Sequence, residues 1–249
     1  MRKLLLILLV IPGVLSAQDY RTDQAGGSWT TNTSWEVFSG GSWLKLEATI
    51  LPTPTASSGT ILVQHNISVS SSVTADQLTI ASGVTITIAN SQILTIADDI
   101  GSDLINLGTI TTTGTLSFAP NSTYQHARDG GTIPLATWGS NSTCWVTGIV
   151  ATNPTLLSTN AYQNFVWECT QTGTRSLAGN LRTVNGNLLI NETGNQELRF
   201  SQGTAYNLAI GGDFNISGTA VVTFGTNANP VNITLAGDFD FSSTASLDS

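Results

Sequence analysis

The sequence contains few charged residues, and the basic ones are the scarcest. Asp, Glu, Lys and Arg make up 10% of the 249 residues, with 8 basic against 16 acidic side chains. Nucleic acids and anionic membranes are bound through clusters of Lys and Arg, so we expect neither as a partner. Without Arg2 and Lys3 at the N-terminus, six basic residues remain against sixteen acidic ones.

Residues that bind metals or act as nucleophiles are also scarce. There are two cysteines, without a CxxC motif, and two histidines, His65 and His126. Zinc sites need about four Cys or His ligands, so we expect no metal and no other cofactor. A weak alternative is a Ca²⁺ site at Asp98, Asp99 and Asp103, although carboxylates in such a row are common in solvated loops.

Long apolar runs are missing except at the N-terminus. Arg2 and Lys3 precede an apolar run over residues 4–14, and the small residues up to Ala17 suit a cleavage site. This pattern is typical of a secretory signal peptide over residues 1–17, and the run is too short to span a bilayer. The sequence therefore predicts a secreted or cell-surface protein that is not inserted in a membrane after cleavage.

One short phrase is repeated in the last third of the chain. The phrase is aliphatic, any, Gly, Asn or Asp, Leu or Phe, any, apolar, and it covers residues 184–190, 210–216 and 235–241. Its glycines, Gly186, Gly212 and Gly237, are 26 and 25 residues apart. A repeat of this length indicates a stacked-repeat architecture.

Within each repeat the apolar residues alternate with Thr, Asn, Ser or Asp, which is the period of a β-strand. The sequence predicts an all-β fold, a right-handed parallel β-helix or β-solenoid with one coil per roughly 25 residues. The Gly-Asn/Asp pair suits a corner, because Gly adopts positive φ freely. We expect a first group of coils over residues 56–135 and a second group over residues 136–249, with the last coil truncated at the C-terminus. The coils are expected to form a monomeric rod. Three hairpins of a β-sandwich are the alternative.

Residues 18–55 are rich in tryptophan. Trp29, Trp35 and Trp43 alternate with polar residues and glycine pairs, which favours a small hairpin. The end coil of a solenoid exposes apolar edges, so we interpret this segment as an aromatic cap. The alternative is a platform on which the three rings stack against sugars.

The densest polar cluster lies between residues 124 and 138. Its candidate ligand-facing residues are Tyr124, His126, Arg128, Asp129 and Trp138. A histidine near an aspartate could act as an acid/base pair. The favoured interpretation is a surface loop that carries polar side chains and turns at Asp129, because no activated nucleophile is identifiable.

The two cysteines are separated by the same interval as the repeat. Cys144 and Cys169 lie 25 residues apart. In a solenoid with this period they would occupy equivalent positions on neighbouring coils, within reach of a disulfide. Export to an oxidising compartment would allow the bond to form. We therefore predict a disulfide between them.

Three segments carry a resemblance to a known group of proteins: residues 122–138, 141–144 and 165–169. With the repeats that follow, they resemble the adhesin-like β-solenoid surface proteins of Bacteroidota that are exported by type IX secretion. The resemblance covers roughly residues 20–249. It implies an adhesin-like passenger, often much longer and ended by a sorting domain, of which this chain would be an N-terminal fragment. It brings no catalytic residues.

These patterns favour a non-catalytic structural or adhesive module that contacts glycans or other cell-surface molecules. The acidic residues are scattered singly, and glycosidases need a convergent pair, so we expect no enzyme. The alternative is a polysaccharide-binding or polysaccharide-processing β-helix in which Tyr124, Trp138 and Trp145 line a groove.

Overall fold

A computed structural model describes residues 17–24, 26–201, 203–225, 229–242 and 244–248. In these residues the only helices are two 3₁₀ turns, Asn32–Ser34 and Leu46–Ala48. None of the helices described is long and apolar enough to cross a membrane. Residues 1–16 of the predicted signal peptide lie outside the described part of the chain.

One sheet runs along the whole molecule. Its strands, in spatial order, are β27 (Phe239–Phe241), β24 (Phe214–Ile216), β21 (Leu188–Glu192), β18 (Asn164–Glu168), β16 (Thr143–Val146), β14 (Thr123–His126), β11 (Leu104–Asn106), β8 (Leu78–Ile80), β5 (Ile61–Val63), β1 (Tyr20–Thr22), β3 (Trp35–Ser39) and β4 (Ser42–Lys45). All neighbours from β27 to β1 are parallel, and β3 and β4 add an antiparallel hairpin. We call this the long sheet.

Four further sheets of four strands form the other faces of the coils. Two of them lie beside the N-terminal part of the long sheet. The first consists of β15 (Thr137–Trp138), β13 (Thr115–Phe118), β10 (Ile93–Ile96) and β7 (Val73–Ala75). The second consists of β12 (Thr109–Thr112), β9 (Thr85–Ile88), β6 (Ile67–Val69) and β2 (Gly27–Ser28). The other two lie beside the C-terminal part. One consists of β17 (Ala161–Tyr162), β20 (Thr183–Val184), β23 (Tyr206–Ile210) and β26 (Val231–Leu235). The other consists of β19 (Arg175–Ser176), β22 (Glu197–Arg199), β25 (Val221–Thr223) and β28 (Ser246–Asp248). The predicted parallel β-solenoid is confirmed, while its right-handed winding stays a prediction.

The core lies inside the coils, where alternate residues are buried in most strands of the long sheet. In β14, Tyr124 and His126 are buried, whereas Thr123 and Gln125 are half-exposed. Equivalent inward residues pair from coil to coil along the long sheet, in a buried column made by Ile61, Leu78, Leu104, Tyr124, Cys144, Phe165, Leu188 and Phe214. Burial of these apolar side chains is the main favourable term for stacking the coils.

The length of a coil varies along the molecule. In the last coils Leu188 pairs with Phe214 and Phe214 pairs with Phe239, which are the same two steps as those between the repeated glycines. In the middle coils Tyr124 pairs with Cys144 and Cys144 pairs with Phe165, and both of these steps are shorter. The predicted period therefore holds for the last coils but not for the middle ones, because the loops between strands differ in length.

The tryptophan-rich segment caps the first coil, as predicted for such an end. Trp29 and Trp35 are fully buried, with their ring centroids 5.0 Å apart in a T-shaped contact. The Trp35 indole donates to the carbonyl of Trp29 (2.7 Å). Burial of both rings excludes them from the alternative sugar platform. Trp43 remains half-exposed on β4 beneath the guanidinium of Arg21.

The repeated glycines are needed for close approach between coils. Gly212 is not among the glycines with positive φ, so the predicted reason for the repeat is wrong. A Cβ on Gly212 would lie 2.8 Å from the carbonyl carbon of Gly186 in the preceding coil. Beside it runs a ladder in which Asn187 Oδ1 accepts from the Asp213 N–H (2.8 Å) and Asp213 Oδ1 accepts from the Asp238 N–H (2.9 Å). Each coil thus satisfies a backbone donor of the next.

Candidate ligand-binding face

Three of the five residues predicted to face a ligand lie inside the coil. Tyr124 and His126 are completely buried and Trp138 is 6% exposed. Each occupies an inward position of its strand, and Trp138 stacks on Phe118 with ring centroids 4.4 Å apart. The ligand-facing prediction is therefore wrong for Tyr124, His126 and Trp138, which belong to the core.

The His126 side chain is held by a buried hydrogen-bond network. Its Nε2 donates to the carbonyl of Gly130 (2.8 Å), and the Tyr124 hydroxyl lies 3.1 Å from Nδ1. Asn106 Nδ2 donates to the same hydroxyl (3.0 Å), which leaves the hydroxyl proton for Nδ1. Burial lowers the pKa of His126. A neutral imidazole with both nitrogens occupied is a structural group and does not form an acid/base pair with Asp129.

Asp129 is exposed and joins two neighbouring coils. Its Oδ1 accepts hydrogen bonds from the N–H groups of Val150 (2.8 Å), Ala151 (2.9 Å) and Thr152 (2.9 Å). Desolvation alone would raise the pKa of Asp129, but these three donors outweigh it and lower the pKa to about 2. The carboxylate stays ionised to hold the turn of the next coil.

Arg128 also binds the backbone of a neighbouring coil. Its guanidinium donates to the carbonyl of Gly108 and to the Thr109 hydroxyl (3.0 Å). With Asp129 it lines a depression of about 320 Å³ that also contacts Leu107. Of the five predicted ligand-facing residues, these two remain at the surface, and both already have structural partners.

The predicted disulfide is absent, and both cysteines are buried free thiols. Cys144 pairs with Phe165 across the coils, so Cys169 lies four residues beyond the equivalent position. Four strand residues span roughly 13 Å, which is too far for a disulfide. Cys169 Sγ instead donates to the carbonyl of Val146 (3.2 Å), and burial raises its pKa to about 12. The disulfide prediction is wrong because this coil is shorter than the assumed period.

The aspartates considered for calcium are partly used by the backbone. Asp103 is completely buried and accepts from the N–H groups of Asp99 (3.1 Å) and Thr123 (2.6 Å). In the described ranges, no three His, Cys, Asp or Glu side chains are grouped so that they could hold a metal ion. The calcium alternative therefore gains no support from the geometry.

Asp76 lies beside Asp103 and is almost completely buried as well. Burial raises the pKa of Asp76 to about 6, although the Gln77 N–H donates to its carboxylate (2.8 Å) and the negative charge of Asp103 raises the pKa further. Two neighbouring buried carboxyl groups cannot both ionise cheaply. The raised pKa marks Asp76 as the group of the core whose charge is expected to change between acid and neutral pH.

The outer face of the long sheet carries an apolar stripe. Trp145 pairs with Val166 and Val166 pairs with Leu189, so the three side chains follow one another across strands β16, β18 and β21. All three are half-exposed, one position away from the inward column. Of the three aromatic residues predicted to line a groove, only Trp145 faces outward. In the sequence, Trp145 lies between the inward residues Cys144 and Val146, and this alternation indicates that its side chain faces outward.

This stripe forms the floor of a groove of about 390 Å³. The Trp145 indole N–H donates to Glu168 Oε2 (3.0 Å), which fixes the ring against the next coil. Apart from the stripe and Gly101, the residues that line the groove are polar: Ser102, Thr123, Thr143, Glu168 and Asn191. An apolar floor containing an aromatic ring, with hydroxyl, amide and carboxylate groups around it, can bind an amphipathic ligand.

Comparison of the chain with protein-family models, with curated proteins and with solved structures gave no match. The function is therefore inferred from the geometry of the molecule itself.

Proposed function

We propose that this chain is an exported, non-catalytic module of the cell surface or extracellular space, with a structural or adhesive role. The observation that carries the proposal is the division between the inside and the outside of the coils. The reactive groups of His126, Tyr124 and Cys144 are buried in structural contacts, whereas the outer face of the long sheet offers an apolar stripe with a polar rim. Such a face suits non-covalent contact with glycans or other cell-surface molecules.

The N-terminal segment supports export. Basic residues, an apolar run and a small-residue site follow one another over residues 1–17, in the order of a cleaved signal peptide. Expression of the full chain in a secreting host tests this part. We expect the exported protein to begin at Gln18, and an intact N-terminus on protein retained in the cell would contradict it.

A polysaccharide-binding protein is the second candidate, and the groove at Trp145 favours it over a polysaccharide-processing enzyme. Hydrolysis of a glycosidic bond needs two carboxyl groups about 5–10 Å apart. Among the described residues that line this groove, Glu168 is the single carboxylate, and its Oε2 is bound to the Trp145 indole. Glu192 pairs with Glu168 on the next coil, but its Oε1 accepts from the Gly194 N–H and the Thr219 hydroxyl. The groove is thus better suited to holding a glycan than to cleaving it.

The adhesive role is tested with beads coated with the purified chain. We expect the beads to attach to bacterial or host cells or to glycan-coated surfaces, and beads coated with heat-unfolded chain not to attach. A reducing-end assay on the same polysaccharides should detect no cleavage. Cleavage that disappears in Glu168→Gln would overturn the non-catalytic proposal, and the absence of attachment to every surface would overturn the adhesive role.

A further inference from the structure

We infer that the groove around Trp145 binds an extended, neutral oligosaccharide of pyranose units, an inference that rests on the adhesive function proposed above. Trp145, Val166 and Leu189 supply the apolar floor and come from three successive coils of the long sheet. Pyranose rings have an apolar C–H face and a hydroxylated edge, so they match an aromatic floor surrounded by hydrogen-bonding groups.

The spacing of the coils supports an extended chain as the occupant. Neighbouring coils of a parallel sheet lie roughly 4.8 Å apart. From Thr123 on β14 to Leu189 on β21 the groove crosses three coil steps, which is roughly 14 Å, and Gly101 and Ser102 before β11 line it as well. One coil step is close to the advance of one pyranose unit along an extended β-linked chain. Successive sugars can therefore meet equivalent positions on successive coils.

The charge of the groove selects against acidic sugars. Glu168 is its only carboxylate among the described lining residues, and no Lys or Arg is among those residues. The chain as a whole carries a formal net charge of −8. Uronic acid or sulfated chains would meet repulsion without a cationic partner. Neutral sugars can use the hydroxyl groups of Thr123 and Thr143 and the Asn191 amide as hydrogen-bond partners.

The size of the groove argues against a protein partner. A stable protein interface buries about 800 Å² on each partner. The apolar floor consists of three half-exposed side chains on a surface that otherwise presents polar groups at its rim. Trp145 is also held in place by Glu168, so part of the ordering of the indole precedes binding. These features suit a narrow, linear ligand.

The test is isothermal titration of the purified chain with neutral hexasaccharides: β-1,4-linked glucose, N-acetylglucosamine and xylose, and β-1,3-linked glucose. We expect at least one to bind, Trp145→Ala to weaken the binding about tenfold or more, and Trp145→Phe to weaken it less because a ring remains. Trp43→Ala is the matched control, because this half-exposed tryptophan lies on the cap, and it should leave the affinity unchanged. Unchanged melting temperatures of the variants show that the fold is retained.

Three results would overturn the inference: no binding of any neutral hexasaccharide, equal binding by Trp145→Ala, or stronger binding of an acidic hexasaccharide. The bead assay separates this failure from that of the proposed function. If coated beads attach to cells and Trp145→Ala beads attach equally well, the adhesive function stands and the groove is not its site. If Trp145→Ala removes attachment and hexasaccharide binding together, both proposals are supported.

Discussion

Gly212 lies where two coils approach so closely that a methyl group has no room. Its Cβ would meet the carbonyl carbon of Gly186 at 2.8 Å, and this neighbour is rigid backbone. We expect Gly212→Ala to lower the free energy of unfolding by about 1–3 kcal/mol through overpacking. Urea unfolding followed by circular dichroism measures the change.

The matched control for this substitution is Gly173→Ala. The nearest atom to a Cβ at Gly173 is the flexible end of the Arg175 side chain at 3.2 Å, which can move aside. We expect a much smaller loss of stability for Gly173→Ala. Equal losses in the two variants would show that the close approach at Gly212 is not what requires glycine.

Asp76 makes the stability of the fold depend on pH. Its folded-state pKa is raised to about 6, from an ordinary value of 3.8, so the folded protein binds a proton more tightly than the unfolded chain. The contribution of Asp76 to the free energy of unfolding is fully present below about pH 3.8, where the carboxyl is protonated in both states. It is lost as the pH rises through about 6. We expect Asp76→Asn, which mimics the neutral carboxyl, to be more stable than the wild type by about 1–3 kcal/mol at pH 7.5.

The check is the difference in unfolding free energy between the wild type and Asp76→Asn from pH 4.5 to 7.5. His126 acts in the opposite direction, because burial lowers its pKa and the unfolded chain takes up the proton first as the pH falls. Both proteins contain His126, so its contribution cancels in the difference. A difference that does not change with pH would contradict the role assigned to Asp76.

At the scale of the strands, alternation in the sequence was the reliable signal. Together with the repeat it predicts the parallel β-solenoid, and its phase places Tyr124 and His126 inside and Trp145 outside, one residue from the inward Cys144. The ligand-facing prediction for His126 is wrong because it rests on a cluster of polar residues in the sequence, and a strand sends neighbouring residues to opposite faces. The phase separates Trp145, which faces outward, from Tyr124 and Trp138, which were predicted with it to line a groove and which face inward.

The length of each coil could not be predicted in the same way. The repeat is visible only where the phrase with Gly212 recurs, and the step from Cys144 to Phe165 is shorter than the step from Leu188 to Phe214. Loops at the corners lie on the surface and tolerate insertions, so their length is not constrained by the core. The close packing at the repeated glycines could not be predicted either, because it depends on which residues of neighbouring coils lie opposite each other, and this register depends on the loop lengths.

The arrangement of the strands makes a definite prediction for the cysteines. Cys144 and Cys169 are fully buried and out of register, so we expect two free thiols even in protein from an oxidising compartment. Alkylation without reductant should modify neither cysteine in the native chain and both in guanidinium chloride. Intact mass spectrometry distinguishes the products. Denatured, unreduced protein that takes up no label would show that the register between β16 and β18 is different.

Over the whole molecule, each coil contacts mainly its two neighbours, so local stability should vary along the solenoid. The middle coils share a continuous aromatic cluster formed by Phe118, Tyr124, Trp138, Tyr162 and Phe165. Strand β27 is paired on one side among the described strands, and its Phe239 and Phe241 are 47% and 42% exposed. Stability should therefore be highest in the middle and lowest at β27.

Hydrogen exchange followed by mass spectrometry measures this gradient. We expect the amides of β14, β16 and β18 to exchange more slowly than those of β27 by roughly a hundredfold or more, because they open only when the middle coils unfold. Trp138→Ala should remove most of this protection around β14, since it leaves a large cavity in the aromatic cluster. Uniform exchange along the chain, unaffected by Trp138→Ala, would instead mean that the coils unfold as a single cooperative unit in which the aromatic cluster has no special weight.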